Sequence, residues 1–554
     1  VDHPNYIRNK EELAILYWKT KSWDKAYALY KPVMDKTIDF INTYFPPMSE
    51  AEKTKYWDAT SPRFQRFYAF AIAAREAVPT IVTDVFDYQT ATKALLFNAT
   101  NKVKQAILRS GNVQLIQDYL GWLDTKESLA RYYGLSKEEL ADAGIKIDSV
   151  QRVANQLEKS LSERSKEFSA GYSTQKVGLG EIQNTLANNE VLLEIIRVRN
   201  FDQDLLPDAR YVVLGIAKTD SQPRMVVSEN GAQLETRYAK YYRNSIQQKS
   251  ADQFSYDQYF QKFEPLVAGK KTVYVSPDGV YNQINLATLR KPSGEFLVSQ
   301  FDFVIVGNSK DLLNIKSRKG PAAKKEATLL GFPDYGGASV AALPGTKVEL
   351  DNINRILKTG GFTIRQFVQK EASENTIKAV KAPSLLHIAT HGYFLQDVEK
   401  SGSALGVNFE IAKENALLRS GLMLAGAAGT VSGEQSQTLG SNDNGILTAY
   451  EAMNLNLDGT DLVVLSACET GLGDVKNGEG VYGLQRAFLV AGANALVMSL
   501  WKVDDAATQQ LMTNFYTNWA KTGDKLKSFK QAQLQLMTKY KEPYYWGAFV
   551  MMGM

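Results

Sequence analysis

Two stretches decide the fold: Leu385-Leu-His-Ile-Ala-Thr-His391-Gly392 and Leu462-Val-Val-Leu-Ser-Ala-Cys468-Glu-Thr-Gly471. Each opens as a continuous apolar run, which is how a strand buried on both faces of a parallel sheet reads. Each ends on a rare residue. Cys468 is the only cysteine of the chain, and His391 is one of three histidines, with His3 and His387. Parallel strands release their ends on one edge of the sheet, where ligand sites of such folds lie. His391 and Cys468 therefore come within reach of one another although 77 positions separate them.

The pair has a chemistry. A free thiol has a pKa of about 8.5, so little thiolate exists at neutral pH. A neighbouring imidazole can take the proton or hold the thiolate as an ion pair. The thiolate then attacks a carbonyl carbon, and the imidazolium protonates the leaving amine. The amides of Cys468 and Gly392 are candidate donors to the oxyanion, glycine allowing close backbone approach. The alternative from position alone is a buried, inert thiol. His387 lies four positions before His391, about 13 Å away if one strand carries both. That is too far to share a metal, so His387 reads as a hydrogen-bonded core residue. No Cys-rich zinc pattern and no H-E-x-x-H motif is present, and no metal site or cofactor is expected.

Working outward, an α/β series surrounds these strands. After about 326, strands are predicted at Ala327–Gly331, Phe362–Gln366, Leu385–Thr390, Leu422–Ala425, Leu462–Ala467 and Ala495–Leu500. Helices fit between them at Lys347–Lys358, Ser373–Ala379, Thr448–Asn454, Gly480–Ala491, Asp505–Trp519 and Leu526–Lys539. Residues 396–445 read as one long loop with a single short apolar run, a functional cover or disordered. A first α/β series runs from about 180, with strands at Val191–Val198, Tyr211–Ala217, Arg224–Ser228 and Thr272–Val275, a polar helix near 232–248 and a turn at Ser276-Pro-Asp-Gly279. Lys316–Lys325 reads as a linker. Residues 8 to about 165 carry helical periodicity, punctuated by Pro46-Pro47 and Ser61-Pro62. Leu13-Ala14, Tyr17, Trp23, Ala26 and Tyr30 have the small-and-aromatic spacing of a tetratricopeptide helix pair, the alternative being an ordinary amphipathic hairpin. Such a unit needs neighbouring repeats or a docked helical domain to complete its core.

The composition narrows the function. The 554 residues suggest about three to five structural units. Lys+Arg 64 against Asp+Glu 60 leaves +4, too little to point to nucleic acid on bulk charge. No membrane span and no signal peptide are read, and the lone thiol suits a reducing, cytoplasmic setting. Gly478-x-Gly480-x-x-Gly483 matches a dinucleotide fingerprint but does not follow its strand directly, so the glycines are assigned to a mobile loop beside the site and to close helix packing.

At His387-Ile-Ala-Thr-His391-Gly392, Val464-Leu-Ser-Ala-Cys468-Glu-Thr-Gly471, Gly478-Glu-Gly480 and Ser499-Leu-Trp501-Lys-Val-Asp504-Asp505 the sequence resembles the CHAT peptidases, caspase-like proteins related to separase that often follow TPR repeats. Leu343-Pro-Gly-Thr346 with Glu349, Pro277-Asp-Gly279 and Pro543-Tyr-Tyr-Trp546-Gly-Ala-Phe549 support the match, which spans about 180–554. The resemblance implies an α/β caspase-hemoglobinase-like sandwich, a pseudo-protease half followed by an active half, preceded by an α-helical TPR-like region. The corresponding units are 1–45, 46–175, 176–318 and 326–554. It implies a cysteine endopeptidase with His391 as base and Cys468 as nucleophile, acting on a protein substrate in a bacterial defence or regulated-death pathway, with a protein regulator received by the helical region. A catalytically silent scaffold of the same fold is the alternative. The acid that metacaspase-type relatives carry two positions before the nucleophile is replaced by Ser466. Separase-type relatives place an acid shortly after a Leu-Trp motif, which puts Asp504 and Asp505 forward as S1 pocket residues and a basic P1 residue as the preference. Asp504 can equally cap the helix that starts at 505. Glu469 can orient substrate or bond loop amides. Lys400, Lys413 and Arg419 are basic positions where self-processing could occur, the alternative being a lid ordered by a partner.

Overall fold

The chain opens in helices: α1 (Pro4–Lys19), α2 (Trp23–Tyr44), α3 (Glu50–Ala74), α4 (Ile81–Thr92), α5 (Val113–Tyr133) and α6 (Ile147–Arg164). The computed structural model describes residues 4–553 except 46, 97–106, 108–109, 134, 136, 165–176, 318–323, 397–402, 406, 434–442 and 477. Part of the expected linker and Lys400 lie outside the described residues. Ala14, Ala26 and Tyr30, three of the spaced small and aromatic positions, are fully buried, and Tyr30 stacks on Phe70 of α3 at 5.0 Å. Leu13 faces outward. Pro62, expected as punctuation, lies inside α3, as Pro32 lies inside α2. Burial of Phe64, Phe67 and Phe70 on α3 outweighs the roughly 3 kcal/mol that an interior proline costs. The apolar faces of α1–α4 share one cluster with Leu192, Ile196, Val212, Leu214 and Tyr274 of the sheet that follows, whereas Leu115, Tyr119 and Trp122 of α5 and Leu161 of α6 form a small cluster of their own.

That sheet begins with β1 (Glu190–Phe201), β2 (Leu205–Ala217), β3 (Arg224–Ser228), β4 (Thr272–Ser276) and β5 (Asp302–Ile305), with helix α7 (Ala239–Gln247) after β3. It continues with β6 (Glu326–Pro333), helix α8 (Pro344–Thr359), β7 (Thr363–Gln369) and β8 (Leu385–Ala389). Here the chain leaves the main sheet. β9 (His391–Phe394) belongs to a side sheet, and β10 (Ser403–Ala404) and β11 (Val407–Asn408) form a short hairpin. β12 (Ser420–Met423) and β13 (Ile446–Thr448) complete the side sheet in the order β13-β12-β9. The described parts of 396–445 are thus partly regular, and the apolar run expected as a main-sheet strand at Leu422–Ala425 is the middle of the side sheet.

The chain returns as β14 (Leu462–Ser466), a hairpin of β15 (Asp474–Lys476) and β16 (Gly480–Tyr482), helix α9 (Leu484–Val490), β17 (Ala495–Ser499), helices α10 (Asp505–Thr522) and α11 (Lys525–Lys539), and β18 (Phe549–Gly553). Residues 480–482 are therefore strand, where the expected helix began at Gly480. Gly478 and Gly480 take φ of +73° and +81° in the hairpin, the left-handed region that glycine tolerates.

The main sheet has 11 strands in the order β3-β2-β1-β4-β5-β18-β17-β14-β8-β6-β7. The second half is parallel from β17 to β7, and the apolar runs centred on residues 329, 387, 464 and 497 are its buried strands. β18 is antiparallel to β17 and parallel to β5, so this last strand joins the two halves. An N-terminal helical region followed by a two-halved mixed sheet with helices on its faces is the expected architecture.

Candidate active site

Register brings the two rare residues to one edge. β8 and β14 pair in parallel from Leu385↔Leu462 to Ala389↔Ser466, a constant offset of 77, and His391 and Cys468 keep that offset two residues beyond the last pair. Strand neighbours lie about 4.8 Å apart. Thr390 turns the chain out of the sheet. Its N–H bonds Ser466 O at 3.3 Å, and its hydroxyl donates to Met423 O on β12. His391 therefore starts β9 instead of extending β8, so His387 and His391 do not share a strand as expected. A Cβ built on Gly392 would stand 2.5 Å from Cys468 O, so only glycine permits this approach of the two backbones. Gly392→Ala is expected to lower stability by about 1–3 kcal/mol through overpacking and to move the segment after Cys468. A melting curve and a cleavage rate both unchanged would show that the contact is not made.

His391 is half-buried beside Tyr335, their rings 5.4 Å apart. Its Nε2 lies 2.8 Å from Ala341 O. A carbonyl only accepts, so Nε2 carries a hydrogen, and in the neutral ring the lone pair is on Nδ1. The Tyr335 hydroxyl lies 2.9 Å from Thr390 Oγ1 and accepts from the His391 N–H at 3.4 Å. Gly392 faces Leu422 across the antiparallel β9–β12 pair. Since Leu395 N–H bonds Arg419 O and bonded pairs alternate, the Gly392 amide stays out of that ladder. Neither the Ala341 carbonyl nor Tyr335 was anticipated. Tyr335 sits in the turn Asp334-Tyr-Gly-Gly337 after β6, which was a readable signal, while a main-chain acceptor has no side-chain signature.

Cys468 is half-buried and free. Burial pushes its thiol above the ordinary range, the Glu469 and Asp505 carboxylates add to this, and the Val503 N–H and Lys502 oppose it. The thiol is therefore protonated at neutral pH in this state. Iodoacetamide modification of Cys468 is expected to speed up about tenfold per pH unit between about 6.5 and 8.5, following the thiolate fraction. A rate level across that range would reveal a standing thiolate–imidazolium pair.

Glu469, next in sequence, takes a left-handed φ of +57°, unusual for a residue with a Cβ. Burial raises its carboxyl, and Lys502 and Arg243 of α7 pull it down. Glu469 thus faces cations from both halves. The Ser466 hydroxyl is buried and makes no bond among the described residues. Asp504 is the N-cap of α10, its Oδ1 accepting from the Ala507 N–H at 2.9 Å. Asp505 is exposed, its Cβ 3.7 Å from a Cβ built on Gly345, and close enough to raise both the Cys468 thiol and the Tyr335 phenol. The structure therefore groups His391, Gly392, Cys468 and Asp505, and uses Asp504 as a cap.

His387 is wholly buried. Its Nε2 lies 2.9 Å from Glu349 Oε1 of α8 and its Nδ1 3.0 Å from the Tyr516 hydroxyl of α10. It is the bonded core residue expected, and it pins together the two helices that flank the site. Among the described residues no cluster of three or more His, Cys, Asp or Glu side chains could hold a metal, and no helix is long and apolar enough to cross a membrane.

A family model described as the CHAT domain matches residues 256–554, more than half of the chain. The chain belongs to the CHAT domain family. Tetratricopeptide repeat protein 28 of Mus musculus is 32% identical over 110 residues, 20% of this chain and 4% of that protein. The Homo sapiens protein of the same name is 30% identical over 115 residues, again 20% and 4%. The match thus spans a small fraction of the length of these relatives. Among solved structures, the Arg-specific cysteine proteinase gingipain R (RgpB) aligns with 13% identity and a TM-score of 0.30 over 56% of this chain and 67% of its own. The Saccharomyces cerevisiae separase–securin complex aligns with 11% identity and a TM-score of 0.33 over 79% of this chain and 27% of its own.

Proposed function

We propose that this protein is a site-specific cysteine endopeptidase. The observation that carries the reading is the shared register of His391 and Cys468 beyond β8 and β14, with Gly392 packed against Cys468 O. His391 Nδ1 takes the thiol proton, while the Ala341 carbonyl holds the ring through Nε2. The thiolate attacks the scissile carbonyl, and the Gly392 and Cys468 amides receive the oxyanion. The imidazolium passes its proton to the departing amine, and water then releases the acyl group.

Asp505 is the S1 acid on this reading, because its carboxylate is exposed beside the thiol and Asp504 is spent on the cap. The preferred P1 residue is arginine or lysine, bound through a charge-assisted contact. Asp505→Asn is expected to cut kcat/KM for Arg substrates at least about tenfold, the loss of one charged hydrogen bond, with the melting temperature kept. Asp504→Ala costs about 1 kcal/mol of stability and leaves P1 preference alone. A P1 scan that favours Asp or an apolar residue overturns the assignment.

The units 1–45, 46–175, 176–318 and 326–554 serve on this reading as TPR-like entry, helical receiver of a protein regulator, pseudo-protease scaffold and catalytic half, in a cytoplasmic defence or regulated-death setting. A silent scaffold is favoured by one observation, the thiol held protonated by burial. Cleavage of a peptide library by wild type and not by Cys468→Ala decides between the two.

A further inference from the structure

The segment between β6 and α8 holds His391 in two ways. Near its end, the Ala341 carbonyl receives the Nε2 hydrogen at 2.8 Å. Near its start, Tyr335 is 3% exposed and sets its ring 5.4 Å from the imidazole, with 39° between the planes. The segment is itself tied to the residues that follow β12. Gly426 N–H bonds Asp334 O at 3.0 Å, and Ala428 N–H bonds Tyr335 O at 2.9 Å. The Ser339 hydroxyl donates to Ala428 O at 2.8 Å.

The hydrogens around the Tyr335 hydroxyl can be assigned one by one. Thr390 has a single hydroxyl hydrogen, which goes to Met423 O, because a carbonyl only accepts. The phenol must then donate across the 2.9 Å contact between Tyr335 and Thr390. With its own hydrogen spent, the Tyr335 oxygen is left as an acceptor, and the His391 N–H fills it at 3.4 Å. The phenol keeps its hydrogen, since burial and then the Asp505 carboxylate push it above its ordinary range. One directed chain results: His391 N–H to Tyr335 O–H, Tyr335 O–H to Thr390 Oγ1, and Thr390 O–H to Met423 O. It joins the first residue of β9 to the turn after β6 and to β12. A buried polar network whose members are all satisfied holds a single arrangement.

We propose that Tyr335 is the positioning residue for the His391 base. Its hydroxyl fixes the main chain where it turns from β8 into β9, and its ring restrains the imidazole. Together they keep Nε2 on Ala341 O, which leaves Nδ1 as the atom that takes the thiol proton. The role is orientation, and orientation is costly to lose: a catalytic group displaced by about 1 Å can forfeit on the order of 100-fold in rate. A tyrosine that only filled the core would change stability and leave the imidazole where it is. The consequence for rate rests on the peptidase reading; the hold on the ring does not.

Two measurements test it, both on the full chain. The first compares kinetics on a cleaved peptide. Tyr335→Leu, which removes ring and hydroxyl, should lower kcat about 100-fold and leave KM within about threefold. Tyr335→Phe, which keeps the ring, should recover to about tenfold below wild type. The second observes the imidazole nitrogens by NMR in Cys468→Ala protein at about pH 9, well above the ordinary imidazole range. The His391 signals are identified by their loss when His391→Ala is added. They should show one tautomer, with the hydrogen on Nε2, and adding Tyr335→Leu should move them to values averaged over both tautomers. Should Tyr335→Leu fail to fold, the tenfold loss of kcat in Tyr335→Phe decides, or, without cleavage, the ring signals of Tyr335→Phe. Unchanged kcat in a folded Tyr335→Leu while wild type cleaves, or ring signals that ignore the substitution, overturns the assignment. If wild type cleaves nothing, the peptidase reading falls by itself, and the ring signals alone decide whether Tyr335 fixes His391.

Discussion

Cys468→Ala and His391→Ala are each expected to lower kcat/KM on a cleavable peptide by at least about 10⁴-fold, with the melting temperature within a degree or two of wild type. The size follows from the division of labour. Without the sulfur no acyl-enzyme forms, and without the imidazole a thiol raised by burial contributes almost no thiolate. Stability is spared because Cys468 is only half-buried and the contact from the His391 ring to Ala341 is a surface hydrogen bond. The two effects should not add in the double variant, since both groups serve one step. The measurement is cleavage of a peptide library read by mass spectrometry, with circular dichroism as the folding control. Equal rates in wild type and Cys468→Ala would end the peptidase proposal. Activity that needs Cys468 but not His391 would replace the base and keep the nucleophile.

Lys93→Ala carries the largest expected loss of stability, about 3–5 kcal/mol, because it strands a buried carboxylate. Lys93 follows α4 and is 2% exposed, and Glu194 of β1 is fully buried. The ammonium bonds Glu194 Oε1 at 2.6 Å, Ser276 Oγ at 2.8 Å and Ser276 O at 3.1 Å, and Ser309 donates to the other carboxylate oxygen. The pair fastens the helical region to the middle of β1 and the carboxyl end of β4. The next residues reach the β15–β16 hairpin: Ala94 N–H bonds Gly478 O at 2.8 Å, and Gly478 N–H bonds Asp278 Oδ1 at 3.2 Å. Lys93→Ala should therefore also expose the β15–β16 hairpin, read as faster amide exchange at 478–482. Lys93→Met combined with Glu194→Leu should recover part of the urea midpoint, since it strands no charge, the remaining deficit coming from the buried Ser276 and Ser309 groups that lose these partners. A loss under about 1 kcal/mol for Lys93→Ala would mean that water reaches the pair.

Much of this was legible because burial leaves a local trace. The runs at 385–389, 462–466 and 495–499 are apolar on both faces, and each came out as a strand of the parallel half. The spacing of Ala14, Ala26 and Tyr30 marked buried helix faces correctly. Other elements left no such trace. Phe549–Gly553 is a five-residue edge of sequence behind a Trp-Gly turn, and only its pairing with β17 and β5 makes it the strand that joins the halves. Thr390 reads as one more strand residue, and its hydroxyl bond to Met423 O, 33 positions away, turns His391 out of the sheet.

The candidate nucleophile and base, their strand ends and the glycine between them were determined by the sequence alone, because rare residue types and apolar runs are properties of single segments. The tautomer of His391, the raised thiol, the division of Asp504 and Asp505 into cap and exposed carboxylate, and the sharing of one core by α1–α4 and the sheet were decided only by the tertiary structure. Each of these depends on which main-chain groups and charges from distant segments pack against a given side chain, and no local pattern encodes that.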